Sequence, residues 1–416
     1  MKKERLLILC DHNREDFLLP YKCIKEKAEL LFLEFPSKKS ITADYYKEYG
    51  KVTFWSEYKD AFSLLEQVNP KKVIFLWIDT YQQVALNLAC KIKGIRTYII
   101  EHGIRDWRAN IELEQYFFNP VNISLSNRFK TLSTELIPRL KTRLFLLNTL
   151  RKLPEPEKSF LKDYTRLRRK STYHTIKQKV ISELRLPNAY ISYSPKVFSV
   201  HQHFDKIRTD HVVHFIGVPL YDELANTIYK ADSLISQSKS IVLIDQGLAN
   251  RNLLGWRIDS YKQFLKELNH YCHLSGFTLH IKFHPSDINA VSDYNLNKIS
   301  VKIIDDTQLK QLLPHTPVII GFFSTLLLPL AAMSHTTLIT LENHPAGKLD
   351  VSKSFVDAGV AHPVYSLDEL PEALNNIEQL HQQQLPNKKK FEQDWLYKFD
   401  GKAGERLRDI LLSNEL

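Results

Sequence analysis

The feature that most limits what this chain can fold into is a recurrence of short apolar runs at the spacing of strands alternating with helices. In the N-terminal third these runs are Arg5–Cys10, Ala28–Phe35, Val52–Trp55, Lys72–Ile78 and Arg96–Ile100. Runs apolar on both faces suit parallel strands covered by helices on either side. Between Asp79 and Ile92, residues Tyr81, Val84, Ala85, Leu88 and Ala89 share one helical face, which gives a βαβ unit with the next strand. The pattern restarts near residue 188 with Ala189–Tyr193, Val212–Val218, Ser240–Ile244, Thr278–Phe283, Val301–Ile304, Val318–Gly321 and Thr337–Leu341. Helical stretches such as Asp259–Ser275 and Leu326–Met333 lie between them. At 416 residues the chain exceeds what one hydrophobic core usually serves. The expectation is an α/β protein of two Rossmann-like, doubly wound lobes with a cleft between them and a basic helical insertion. The boundaries read as 1–127 for the first lobe, 128–187 for the insertion, 188–385 for the second lobe and 386–416 for a C-terminal helix. That last stretch, with Phe391, Trp395, Leu396, Leu407 and Leu411 at helical spacing, can cap the second lobe or cross back to the first.

The net charge is +10, and its placement says more than its size. Residues 128–185 hold sixteen Lys/Arg against five Asp/Glu, so this segment carries the whole excess and the lobes are near neutral. Within it, Leu140, Leu144, Leu147 and Leu150 alternate with Arg139, Lys141, Arg143, Arg151 and Lys152, the pattern of a basic amphipathic helix. An anionic membrane surface is the partner this pattern suits, against the blander reading of a solvated helical insertion. Nucleic acid is disfavoured because aromatics for base stacking are sparse there. No run approaches the roughly 20 apolar residues needed to span a bilayer, and the apolar run after Arg5 is too short for a signal peptide. Cys10, Cys23, Cys90 and Cys272 are scattered without metal-ligand or disulfide spacing, which fits a reducing, cytoplasmic setting.

Three strand ends carry candidate chemistry. The apolar run Ser240–Ile244 ends in Asp245-Gln246-Gly247, and ligands of open α/β sheets sit beyond such carboxyl ends. Asp245 can act as base or nucleophile there, or simply hold a turn. Thr278–Phe283 continues to His284-Pro285, and alternation along the strand puts Lys282 and His284 on one face. That pair suits a phosphate, with His284 donating a proton to the leaving oxygen and Lys282 offsetting its charge, unless it is a solvated strand edge. Val318–Gly321 leads through Ser324 and Thr325 into an apolar helix, an arrangement that serves anion binding and helix capping equally. Glu342, on the next strand end, can reach a nucleotide.

In the first lobe, Asp11 and His12 end one strand, and Glu101, His102 and Gly103, followed by Arg105, end another. His12, Glu101 and Arg105 suit an acceptor-side wall and His102 a catalytic role, with hydrogen-bonded loops as the alternative for each. No GxxxxGK[ST], no Gly-rich dinucleotide fingerprint and no Asp-x-Asp pair occurs, so the expectation is no metal and no cofactor.

Asp245-Gln246-Gly247, His284-Pro285 and Ser324-Thr325, in that order, resemble the acid-acid-Gly, His-Pro and Ser/Thr motifs of bacterial GT-B sialyltransferases, polysialyltransferases and some Kdo transferases. The resemblance covers about residues 238–345 and departs from the family at Gln246, where many members have a second acid. It implies a GT-B glycosyltransferase that takes a CMP-activated acidic sugar as donor, without metal, and a surface glycan or glycolipid of capsule or lipopolysaccharide as acceptor. It assigns Asp245 as the catalytic carboxylate, His284 as the leaving-phosphate histidine, and Ser324 and Thr325 as phosphate-binding hydroxyls. Gly247, Lys282 and Pro285, on the same strand ends, and Glu342, beyond the three motifs, are expected beside the donor. A UDP-sugar or CDP-glycerol transferase of the same fold is the alternative. The place of action expected is the inner face of the cytoplasmic membrane.

Overall fold

The computed structural model describes residues 3–103, 125–170, 176, 179–231, 238–284 and 301–413, side chains excepted at 125–136, 138–139 and 228–231. The described residues fall into two units, one of residues up to 220 together with 402–413, the other of residues 221–401.

The first unit is built on seven strands: β1 (Glu4–Leu9), β2 (Ala28–Leu33), β3 (Lys51–Thr53), β4 (Lys72–Phe75), β5 (Arg96–Ile100), β6 (Ala189–Ser192) and β7 (Val213–Phe215). They run in the order β3-β2-β1-β4-β5-β6-β7, all parallel. The central position of β1 explains its composition, since Leu6, Leu7, Ile8 and Leu9 are all buried between two layers. The helix Tyr81–Ile92 starts where Thr80 accepts the Gln83 N–H and Gln83 reciprocates to the Thr80 N–H at 3.1 Å. It buries Val84, Ala85, Leu88 and Ala89 of the face read from the sequence, leaves Tyr81 half-buried, and also buries Leu86 and Cys90 on its other sides.

The second lobe does not open at residue 188. Strands β6 and β7 complete the first sheet, with Ile99 opposite Tyr190 and Ile191 opposite His214. Asn188 sets this register: its Oδ1 accepts from the Thr97 N–H at 2.8 Å, and its own N–H donates to Thr97 Oγ1 at 3.1 Å. The basic helical segment is therefore the crossover between two parallel neighbours, which always need a long connection. Its helices, Leu125–Lys152 and Glu157–Arg168, belong to the first unit. The Ala61 N–H donates to Thr149 Oγ1 at 3.0 Å, Phe145 meets Trp55 edge-on at 5.5 Å, and the Tyr164 hydroxyl donates to the Asp79 carbonyl at 2.6 Å.

The second unit has β8 (Ser240–Ile244), β9 (Thr278–Lys282), β10 (Lys302–Ile303), β11 (Val318–Gly321), β12 (Thr337–Leu341), a small hairpin β13 (Asn343–His344) and β14 (Gly347–Lys348), and β15 (Ala361–Val364). Its six-stranded sheet is ordered β10-β9-β8-β11-β12-β15 and is parallel throughout. Both sheets share the doubly wound order, in which strand order reverses beside the first strand of each. The core of this unit packs Ile241, Leu243, Leu265, Leu268, Ile281 and Ile320 between the sheet and the helix Ile258–Leu274.

The C-terminal stretch is two helices rather than one. Ile377–Trp395 packs in the second unit, where Gln384 exchanges hydrogen bonds with the Leu338 backbone at 3.0 and 2.9 Å. Ala403–Leu412 belongs to the first unit, where the buried Lys72 ammonium donates to the carbonyls of Ile410 and Ser413 at 3.0 and 2.7 Å. A cation against the free carbonyls of a helix end satisfies them and opposes the helix dipole. Among the described residues no helix is long and apolar enough to cross a membrane.

Candidate active site

The geometry in the second unit centres on Asp245. Its N–H extends the sheet by one rung, donating to the Lys282 carbonyl at 3.0 Å, so the side chain emerges where β8 and β9 end. Gly247, at φ 67°, turns the chain so that its N–H comes back to Asp245 Oδ2 at 2.9 Å, an Asx-type turn. The same oxygen accepts the His284 N–H at 3.1 Å. Oδ1 accepts the Tyr261 hydroxyl at 2.5 Å, delivered from the first turn of the helix Ile258–Leu274. One carboxylate, 2% exposed, thus gathers two strand ends and one helix. Donors aimed at a charged carboxylate are among the stronger hydrogen bonds, and this set fixes the position of His284.

Of the sequence-derived residues, the structure brings Asp245, Gly247 and His284 into direct contact. Lys282 is turned to other partners: its ammonium donates to the Phe283 carbonyl at 3.1 Å and pairs with Asp306 Oδ1 at 3.2 Å. Ser324 is buried and Thr325 exposed at the end of β11, beside β8. Their carbonyls accept the N–H groups of Leu327 and Leu328 at 2.9 and 3.1 Å, and Ser324 Oγ faces the Leu326 N–H at 3.4 Å. This turn opens a helix of only six residues, Leu327–Ala332, whose N-cap position is Leu326 and carries no side-chain cap. Gly321 makes the close approach possible, because a Cβ there would lie 2.8 Å from the Leu327 side chain. Pro285 lies outside the described residues.

Glu342 is 1% exposed, and its Oε2 accepts the Ser352 N–H at 3.2 Å, while the Ser352 hydroxyl donates to the Phe322 carbonyl. Burial raises its pKa, only partly offset by hydrogen bonds from Ser352 and Thr340. Its carboxyl ties the end of β12 to that of β11 from within. The neighbouring His344 accepts the Trp256 Nε1–H on Nδ1 at 3.1 Å, which places its proton on Nε2. Burial pushes this imidazole down to about 4, so it is neutral.

In the first unit the acceptor-side residues have separate partners. Glu101, at the end of β5, accepts the Ser192 hydroxyl at 3.2 Å and meets His201 Nε2 at 3.1 Å. His201 Nδ1 lies 3.4 Å from Asp205, which pairs in turn with Arg185 at 2.8 Å. Burial pushes the His201 imidazole down, but the Glu101 and Asp205 carboxylates outweigh it and hold it at about 9. His102 stacks on Phe17 with ring centres 3.6 Å apart and lies 3.9 Å from Asp16. His12 is fully buried, edge-on to Phe35 at 5.0 Å and Tyr46 at 5.5 Å, and burial lowers its pKa. Glu34, beside Asp11 and Asp79, is raised to about 7 by burial and by those two carboxylates. Arg105 lies outside the described residues.

Sequence reasoning missed Tyr261, Asp306 and His201. Tyr261 had a signal, since it sits in the first turn of the helix that follows the Asp245 loop. Asp306 and His201 had none, because each meets its partner only through the fold. Among the described residues no group of three or more His, Cys, Asp or Glu side chains is placed to hold a metal ion.

Residues 41–343 match the alpha-2,8-polysialyltransferase (POLYST) family. No curated protein matches the sequence at a significant level. Among solved structures the chain is similar to a protein described as a UDP-N-acetylglucosamine 2-epimerase from Listeria monocytogenes, at 11% identity and a TM-score of 0.51, covering 97% of this chain and 95% of that one. It is also similar to the glycotransferase of kitacinnamycin, at 10% identity and a TM-score of 0.50 over 99% and 100% of the two chains. The wall teichoic acid polymerase TagF aligns at 12% identity and a TM-score of 0.49 over 98% and 88%. At these identities the first two likenesses speak for the fold alone, and the family match, over more than half of the chain, speaks for the lineage. The chain belongs to the alpha-2,8-polysialyltransferase family: it is a glycosyltransferase with the two parallel-sheet α/β units of the GT-B fold, and its relatives imply a nucleotide sugar as donor and a glycan as acceptor.

Proposed function

We propose that this glycosyltransferase moves a CMP-activated 3-deoxy-ulosonic sugar, sialic-acid-like or Kdo-like, onto a growing capsule or lipopolysaccharide glycan at the inner face of the cytoplasmic membrane. The observation that carries the reading is the Asp245 carboxylate, which fastens the His284 backbone and the Gly247 turn at one end of the sheet, within a chain of polysialyltransferase lineage. In this reading the donor phosphate lies against His284, with Ser324 and Thr325 beside it. The His284 imidazole protonates the leaving phosphate oxygen, CMP departs, and the acceptor hydroxyl adds to the anomeric carbon as its proton passes to the Asp245 carboxylate acting as base. Asp245 then combines two roles, its hydrogen bonds to backbone N–H groups holding the His284 turn and its carboxylate taking the acceptor's proton. Catalysis proceeds without metal, and turnover in excess chelator tests that point.

Nucleotide choice is the decisive experiment. A ligand at a hundred times its dissociation constant stabilises the state it binds by about 2.7 kcal/mol, so thermal denaturation with CMP, CDP and UDP separates the donors. The expected result is a shift with CMP and release of CMP when a CMP-sugar and an oligosialic acid or Kdo-terminated acceptor are supplied. A preference for UDP or CDP overturns the CMP reading and leaves the fold and family untouched.

A further inference from the structure

The helix Leu125–Lys152 has two apolar faces. One is buried through Phe145 and Thr149 against the first unit, as described above. The other carries Ile137, Leu140, Leu144 and Leu147, which are 67%, 55%, 57% and 52% exposed. At roughly 100° per residue these four fall within an arc of about 80°, on the side of the helix away from Phe145 and Thr149. The sequence pattern grouped Leu150 with them, but Leu150 is half-buried and packs toward the core, and Ile137 takes its place on the outer face. Lys141, Arg143 and Arg151, all exposed, accompany this stripe, in a segment with eleven excess positive charges. Four large apolar side chains in water on one helix face, bordered by cations, match a surface that meets both hydrocarbon and negative charge at once. A nucleic acid offers the charge without the hydrocarbon, and a purely apolar protein groove offers no use for the cations.

We propose that this face is a docking surface for an anionic lipid bilayer, on which the helix lies in the headgroup layer with Ile137, Leu140, Leu144 and Leu147 toward the acyl chains and Lys141, Arg143 and Arg151 toward lipid phosphates. The inference deepens the functional reading, on which it rests only for the acceptor being a glycan assembled at a membrane. It adds the residues by which the enzyme reaches that membrane.

The test is sedimentation of the full chain with phosphatidylcholine vesicles and with phosphatidylcholine–phosphatidylglycerol vesicles. The wild type is expected to pellet with the anionic vesicles, and less so as salt is raised. The double variant Leu144→Ser/Leu147→Ser, which alters two exposed side chains, is expected to bind at least about tenfold more weakly. Lys141→Gln/Arg143→Gln should lose roughly fivefold per charge removed and much of the salt dependence. Failure of the wild type to pellet with either vesicle, or unchanged binding by the leucine variant, overturns the proposal. So does a wild-type dimer without vesicle affinity that Leu144→Ser/Leu147→Ser converts to a monomer, because the stripe would then join two copies of the chain. CMP release onto a soluble oligosialic acid should be unaffected in the leucine variant. Vesicle binding without CMP release in the wild type sustains the docking surface and counts against the donor reading alone.

Discussion

The polar clusters at the ends of the two sheets are built on different principles. In the second unit Asp245 is held by a phenol and by two backbone N–H groups, which do not titrate. In the first unit Glu101 is held by an imidazole shared with Asp205, which pairs in turn with Arg185, so the cluster depends on a titrating group. The contrast extends to the helices behind the sheets. His201 in the first unit is pushed up to about 9, whereas Lys388 in the second, buried against the Ala331 carbonyl at 2.9 Å, is pushed down to about 7 by burial. A carboxylate clamped by amides holds geometry, and one clamped by a histidine reports pH. The two units are therefore expected to answer alkaline conditions in opposite directions, and unfolding followed on both together need not be two-state.

The sharpest way to break this comparison is at Asp245. Asp245→Ala removes the carboxylate that accepts from two amides and a buried hydroxyl and holds the His284 turn, and kcat/KM is expected to fall roughly 100-fold or more. Asp245→Asn distinguishes the roles: weakened CMP binding in a thermal-shift titration marks the clamp, whereas unchanged binding with lost kcat marks a base. Second in size is His201→Asn, which removes the cation between Glu101 and Asp205 and is expected to cost the first unit about 2–3 kcal/mol near neutrality. Because the folded pKa lies above the unfolded value of 6.5, this contribution is fully present below 6.5 and is lost as pH rises through about 9. Urea denaturation at the two ends of that window should show wild type and variant far apart at the acid end and nearly together at the alkaline end.

Lys388→Met should act the other way, stabilising the second unit by about 2 kcal/mol at neutral pH, reduced by whatever the Ala331 carbonyl loses. With a folded pKa of about 7 below the ordinary 10.5, the lysine's penalty is complete below 7 and relieved as pH rises toward 10.5, so the gap between variant and wild type should close across that range. Smallest is Trp256→Phe, which leaves Nδ1 of the buried His344 without its donor and should cost about 1–2 kcal/mol in thermal stability. Since His344 is held down to about 4, its neutral form contributes stability above the unfolded 6.5 that is lost as pH falls toward 4, and the variant should blunt that acid sensitivity.

Much of the fold was legible in the chain because strand and helix patterns are local. Ser240–Ile244, Val318–Gly321 and Thr337–Leu341 form strands with the bounds their apolar runs predict, and the ends carrying Asp245, His284 and Ser324 follow directly. Strand partnership is not local. Nothing in Ala189–Ser192 distinguishes the last strands of one sheet from the first of another, and the choice is made by contacts such as Asn188 with Thr97, 91 residues apart. The same limit applies to the site. The sequence placed a carboxylate, a lysine and a histidine at neighbouring strand ends, but the fold gave Asp245 to Tyr261 and two amides, turned Lys282 toward Asp306, and buried Glu342 beneath Ser352. A side chain's partners are set by the direction in which its strand end leaves the sheet and by which helix arrives above it.

By itself, then, the sequence determined that this protein would be two parallel α/β sheets with polar groups at their carboxyl ends and a basic amphipathic helix, because hydrophobic periodicity and chain order are written residue by residue. Only the tertiary structure decided that the basic helix is a crossover within the first sheet and which of its apolar faces meets solvent. Both depend on packing between segments about 90 residues apart, as in Ala61 against Thr149, for which no local pattern carries the information.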